Sequence, residues 1–231
     1  GMRLRQRVQL TEQTVADLTR DAEGWLWAVT DTEVVRIGIP SPWSIINRAH
    51  GLRGSVIDTA EFDGATWVST SRGVFRLTGD GAGSIKAELM PWADMEAFGL
   101  LADERAMLVG EREGLRQLLP GQSTATMLYD EGLVYAPKAV VGHPDLAVAY
   151  SDYHFMLLRF RGGSWAVERR WALDGMSIFD VTQPAPGEFW ISDERGPPQR
   201  WRIDLDSGER RETHSFGPDQ GLPIDGPDRP K

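Results

Sequence analysis

Three aspartates are spaced so that they could share chemistry. Asp17, Asp58 and Asp180 each stand two residues after a β-branched residue that opens a short apolar run: Val15, Val56 and Ile178. If those runs converge, three carboxylates converge with them. Such a group could hold a cation or a cationic ligand, or raise the pKa of one of its members. A carboxylate pair ~5–9.5 Å apart is also what glycoside cleavage uses. Acid/base catalysis further needs two groups in different environments, and no neighbour supplies that contrast here. The plainer reading is that each Asp accepts backbone N–H bonds or faces water at a strand end.

Other routes to chemistry are sparse. His50, His143, His154 and His214 are scattered, and none falls at a metal-pair spacing. With no cysteine, disulfides, thiolate metal sites and a cysteine nucleophile are excluded. No nucleophile elbow, phosphate-cradling glycine loop or dinucleotide fingerprint is present. Asp204-Leu-Asp206-Ser-Gly208-Glu209 has a superficial likeness to a calcium loop but lacks the remaining ligand spacing, and reads better as a hairpin turn. The expectation is therefore no catalytic residue, no metal and no cofactor. Trp43 and Trp92, each after a proline, fall outside the repeat described below. On loops they could anchor a partner or stack on a sugar, or simply tuck onto a sheet edge.

Charge narrows the partners. The 231 residues carry a formal charge of −9, and nucleic-acid binders usually carry a basic stripe. The nearest thing to one is Arg159, Arg161, Arg169 and Arg170, read mostly as solvent-facing strand positions. A small ligand or a protein partner is expected, and no nucleic acid. No run approaches the ~18 apolar residues of a membrane span, so no membrane insertion is expected. Gly1 before Met2 reads as a tag remnant. A native start at Met2, with no apolar stretch through Leu10, would place the chain in the cytoplasm; excision from a sensor kinase would place it in the periplasm.

The elements that position these residues repeat. Val15 to Thr30 and Val56 to Thr70 share an apolar strand, an acidic-glycine turn and a second strand centred on Trp27 or Trp67. Ile178 to Ser192, centred on Trp190, is a third copy, and weaker ones centre on Leu108 and Val148. The centres step by 40, 41, 40 and 42 residues. A third strand with an arginine among apolar residues follows each, as in Val34-Val-Arg-Ile37 and Val74-Phe-Arg-Leu77. Fourth strands are expected at Ile85–Leu89, Thr126–Leu128, Trp165–Val167 and Arg211–His214. Ala93 to Met107 has good helix formers, but its register with the repeat assigns it to strands.

A period of about 40 residues with four short strands marks an all-β fold, a β-propeller of about five four-stranded blades. Its blades would fall near 11–48, 52–91, 94–129, 135–170 and 174–216, with 217–231 as an extended tail. One four-stranded sheet cannot bury both of its faces, so the sheets stack with the tryptophans between them. First strands line the channel of a propeller, which is where the three aspartates would point. Arg7 to Leu10 could close the ring by pairing with the last blade; an open ring would leave edges that favour pairing. A monomer or a homodimer is expected.

The pattern from Val15 to Thr30, together with His50-Gly-Leu52 and Gln220-Gly-Leu-Pro223, resembles the two-component regulator propeller repeat. Those repeats form the sensor propellers of bacterial hybrid histidine kinases. The match is specific in the first two units, fair in the fifth and poor in the third and fourth. The resemblance implies a non-catalytic sensing module for bacterial signalling. The alternatives are a carbohydrate-active hydrolase using channel-facing carboxylates and a purely structural interaction scaffold.

Overall fold

A computed structural model describes residues 15–20, 26–30, 34–37, 45–79, 85–217 and 220. Within them the chain is a succession of five antiparallel meanders. β1 (Val15–Arg20), β2 (Leu26–Thr30) and β3 (Val34–Ile37) form a three-stranded sheet. One turn of 3₁₀ helix, Arg48–His50, leads into the second sheet: β4 (Val56–Phe62), β5 (Ala65–Thr70), β6 (Gly73–Gly79) and β7 (Ile85–Leu89). The third sheet comprises β8 (Ala97–Ala102), β9 (Met107–Glu111), β10 (Gly114–Leu118) and β11 (Thr126–Tyr129). The fourth comprises β12 (Lys138–Val140), β13 (His143–Tyr150), β14 (His154–Arg161) and β15 (Ser164–Ala172). The fifth comprises β16 (Ile178–Ala185), β17 (Glu188–Asp193), β18 (Gln199–Asp204) and β19 (Glu209–Ser215). The helix formers between Ala93 and Met107 form no helix: Ala97–Ala102 is β8 and Met107 opens β9, with loops at 93–96 and 103–106, so packing of the repeat overrides propensity. Arg7–Leu10, the expected closing strand, lies outside the described residues.

The strands alternate between two cores, one on each side of a sheet. In β9, Met107 and Val109 join Phe62, Trp67 and Val74 of the second sheet, while Leu108 joins Ala147, Met156 and Leu158 of the fourth. In β13, Val148 turns instead to the fifth sheet, with Phe189 and Ile191. Trp67, Leu108 and Val148 are thus equivalent, each pointing to the sheet that follows. Burial on both faces explains why β9 and most of β14 read as continuous apolar runs rather than alternating ones.

Where the central tryptophan is missing, other aromatics fill the gap. Trp165 serves between the third and fourth sheets. Phe155 and Trp201, with centroids 5.4 Å apart, serve between the fourth and fifth. Trp190 keeps the repeat position, but it is half-buried and stacks on Phe216 at 4.7 Å.

Polar side chains replace ladder hydrogen bonds between sheets. Gln117 Nε2 donates to Ser164 Oγ (2.6 Å), and its Oε1 accepts from Trp165 N (2.9 Å). Asp63, at φ 49° in the Asp63-Gly64 turn, accepts from Gly121 N (2.8 Å). Arg159 departs from its reading as solvent-facing. It is buried, and donates to Glu168 (2.7 Å) and to the carbonyl of Leu205 (2.6 Å) in the next sheet. Alternation predicts exposure there, but β14 is covered on both sides. Arg161, Arg169 and Arg170 are exposed.

Candidate functional site at the inner strand ends

The first strands of neighbouring sheets lie side by side. β4 packs along β8, and Phe98 of β8 forms a parallel bridge with Tyr135, just before β12. Pairing registers show what the Asp position is. Asp17 pairs with Val29, Asp58 with Ser69 and Asp180 with Ser192, each directly after a bulge at residue 16, 57 or 179. The same place in the third sheet is Gly99, which pairs with Gly110 after a bulge at Phe98. Ala136 lies against it: a Cβ on Gly99 would come within 2.3 Å of the Ala136 methyl. The acidic series is therefore interrupted by two small residues that let backbones approach.

Two of the three carboxylates act as ties between first strands. Asp58 Oδ1 accepts from Thr59 N (2.8 Å) and Oδ2 from Leu100 N of β8 (3.0 Å). Asp180 accepts from Lys138 Nζ of β12, which also donates to the carbonyl of Val181 (2.7 Å). Asp17, exposed, accepts from Leu18 N (2.8 Å), as Asp58 does from Thr59 N. Each oxygen of Asp58 thus already holds one backbone N–H.

Directly before the Asp position runs a series that the sequence did not advertise: Ala16, Ile57, Phe98, Tyr135 and Phe179. Three aromatics stand there in consecutive sheets. Phe98 and Tyr135 have centroids 5.5 Å apart, and Tyr135 stacks on Tyr150 at 5.2 Å. Ile57 is 42% exposed and Phe179 70%. The Tyr150 hydroxyl donates to the carbonyl of Phe179 (3.4 Å). Burial pushes its pKa up to about 12, and the Asp180 charge adds to this. Ala16, Ile57 and Phe179 could be found as the residue before each Asp, but Phe98 and Tyr135 precede Gly99 and Ala136, and the residue type changes from unit to unit.

The remaining candidates sit elsewhere. Trp43 lies outside the described residues. Trp92 is half-buried, packed on the core between the second and third sheets, 6.4 Å from Trp67. His154 Nδ1 meets the Tyr129 hydroxyl (2.9 Å), and His50 Nδ1 meets Asn47 (3.1 Å). Among the described residues no group of three His, Asp or Glu could hold a metal ion. Asp204 ends β18 and caps the turn that follows: its Oδ1 accepts from Asp206 N (3.0 Å) and Ser207 N (2.9 Å), which holds its carboxyl below the usual range. Among the described residues no helix is long and apolar enough to cross a membrane.

No protein-family model matches the chain, and no curated protein matches it by sequence. Solved structures do. The extracellular domain of BT4673 from B. thetaiotaomicron, described as a hybrid two-component system, superposes with a TM-score of 0.55 at 9% identity. The match covers 87% of this chain and 27% of that one, so the chain spans about a quarter of that protein domain. The Cps50 (Swd1) β-propeller domain of Myceliophteria thermophila matches with a TM-score of 0.51 at 10% identity, over 72% and 57% of the two chains. A catalytically inactive virginiamycin B lyase from Staphylococcus aureus, with quinupristin, matches with a TM-score of 0.51 at 15% identity, over 91% and 73%. The likeness is one of fold. It includes the extracellular domain of a two-component system and a lyase alike, and fold by itself carries no function.

Proposed function

We propose that the chain is a β-propeller of about five blades that acts as a non-catalytic, sensor-type recognition module. It binds a small ligand or a protein partner where the first strands begin. The observation that carries this reading is the series Ile57, Phe98, Tyr135 and Phe179 on or just before neighbouring first strands, with Phe179 left largely exposed. Aromatic faces beside carboxylates suit a ligand with an apolar or sugar face and hydrogen-bonding or cationic edges. The likeness to the BT4673 extracellular domain supports the sensor role and an extracytoplasmic setting.

The runner-up is an enzyme, a carbohydrate-active hydrolase or a lyase. The likeness to virginiamycin B lyase over 91% of the chain favours it. The engagement of Asp58 and Asp180 speaks against it, since general acid/base groups need free capacity at the reacting centre.

Thermal-shift screening against saccharides, peptides and organic cations tests the proposal, followed by calorimetry on wild type and Phe179→Ala. A ligand that raises Tm in wild type and binds Phe179→Ala at least tenfold more weakly supports it. A binder that is chemically turned over, with turnover lost in Asp58→Asn, overturns it in favour of the enzyme.

A further inference from the structure

A second site lies at the end of the second sheet. Arg48, Arg53, Gly54, Ser55, Ser71 and Arg72 surround an open cavity of about 600 Å³. Its walls are fixed by local hydrogen bonds. Asn47 Oδ1 accepts from Ala49 N (2.9 Å) and holds the turn that carries Arg48. Gly51, at φ 95°, approaches β7 so closely that a Cβ would lie 2.6 Å from the carbonyl oxygen of Ala87. Ser71 N donates to the carbonyl of Ser55 (3.0 Å), while Ser55 N donates to Ser71 Oγ (2.9 Å). This reciprocal pair clamps residues 53–55 to the β5–β6 turn. Arg72 N in turn donates to Thr70 Oγ1 (3.0 Å).

The charge there is unbalanced. Among the described residues no carboxylate pairs with Arg48, Arg53 or Arg72, whereas Arg105, Arg116, Arg159, Arg170, Arg200, Arg202 and Arg211 all have one. In a chain of net charge −9, three uncompensated guanidinium groups around one cavity repel each other without internal relief. An anion in the cavity supplies that relief. Guanidinium forks match planar or tetrahedral oxyanions two bonds at a time.

We infer that this cavity is an oxyanion site. It takes a carboxylate, sulfate or phosphate group of a ligand, held by Arg48, Arg53 and Arg72 with the Ser55 and Ser71 hydroxyls beside them. The site uses none of the first-strand aromatics or aspartates, so it goes beyond the reading above.

The test follows the arginine Nε–Hε signals by NMR in low-salt buffer during separate titrations with inorganic sulfate, inorganic phosphate and galacturonate. Wild type, Arg53→Gln, Arg72→Gln and the charge-matched control Arg112→Gln are compared, all with exposed side chains. Saturable binding of at least one probe is expected, weakened about tenfold by each pocket variant and unchanged in the control; the probe that binds identifies the oxyanion class. Phe179→Ala should bind the probe as wild type does, which separates this site from the first-strand face. Binding that is absent for all three probes, or weakened equally by Arg112→Gln, overturns the inference.

Discussion

The ends of the second and third sheets are built on one plan and charged in opposite ways. The β5–β6 turn, Ser71-Arg72, and the β9–β10 turn, Arg112-Glu113, occupy the same place, since Thr70 pairs with Gly73 as Glu111 pairs with Gly114. In the third sheet every cation there has an anion. Arg112 meets Glu96 at 3.6 Å, while Arg116 meets Glu113 at 3.4 Å and the buried Glu111 more closely still. In the second sheet Arg72 joins Arg48 and Arg53 with no such partner among the described residues. One rim is closed upon itself; the other keeps its capacity for something outside the fold. A structural role consumes hydrogen-bonding capacity, and a recognition role preserves it.

The largest effect should come from opening the closed rim. Arg116→Met leaves Glu111, 2% exposed, without its cation. Burial already raises the pKa of Glu111, and an unpaired buried carboxylate costs about 3 kcal/mol of stability. Urea denaturation should show that loss. The double variant Arg116→Met with Glu111→Met should recover much of it, because the charge and its partner leave together. An equal loss in both variants would mean that packing, rather than charge balance, holds this rim.

A smaller effect tests the neutral interior next to the first-strand face. Tyr150 stays protonated in the fold up to about pH 12, chiefly through burial. In the unfolded chain a tyrosine ionises near pH 10. Below pH 10 the stabilisation is fully present. As pH rises from about 10 to 12 the unfolded state sheds its proton first, so stability falls, by about 3 kcal/mol at most for this group. Tyr150→Phe should lack that part of the alkaline slope. An unchanged slope would show that Tyr150 opens to water.

Much of the fold was legible in the sequence, and much less of the site. The forty-residue step is imposed by stacking: each sheet must cover both faces, so Trp27, Trp67, Leu108, Val148 and Trp190 return at matching places. Asp17, Asp58 and Asp180 were visible as a series for the same reason. What Asp58 and Asp180 touch was not, because their partners, Leu100 N and Lys138, lie on neighbouring first strands 42 residues away. Phe98, Tyr135 and Phe179 escaped notice because the position changes residue type, and because Tyr135 precedes its strand. The arginine cavity was hidden more deeply still. The β4–β5 ladder, which sets Val56 opposite Thr70, and the Ser55–Ser71 bonds together bring residues 53–55 against residues 71–72.

The smallest stability effect discriminates best between the two rims. Arg72→Gln removes one of three mutually repelling charges from a wall whose backbone bonds it leaves in place. Without ligand the change in stability should stay within about 0.5 kcal/mol and be favourable in sign, as for a surface residue relieved of like-charge repulsion. Arg112→Gln, which removes a cation facing Glu96, should shift stability by a similar amount in the opposite direction. Raising the salt from 0.01 to 1 M shortens the screening length from ~30 to ~3 Å and should erase both differences. Thermal denaturation of the two variants at low and high salt measures this directly. If both lose stability alike at low salt, the second sheet's rim is balanced by a carboxylate after all, and the contrast between the two ends of the repeat disappears.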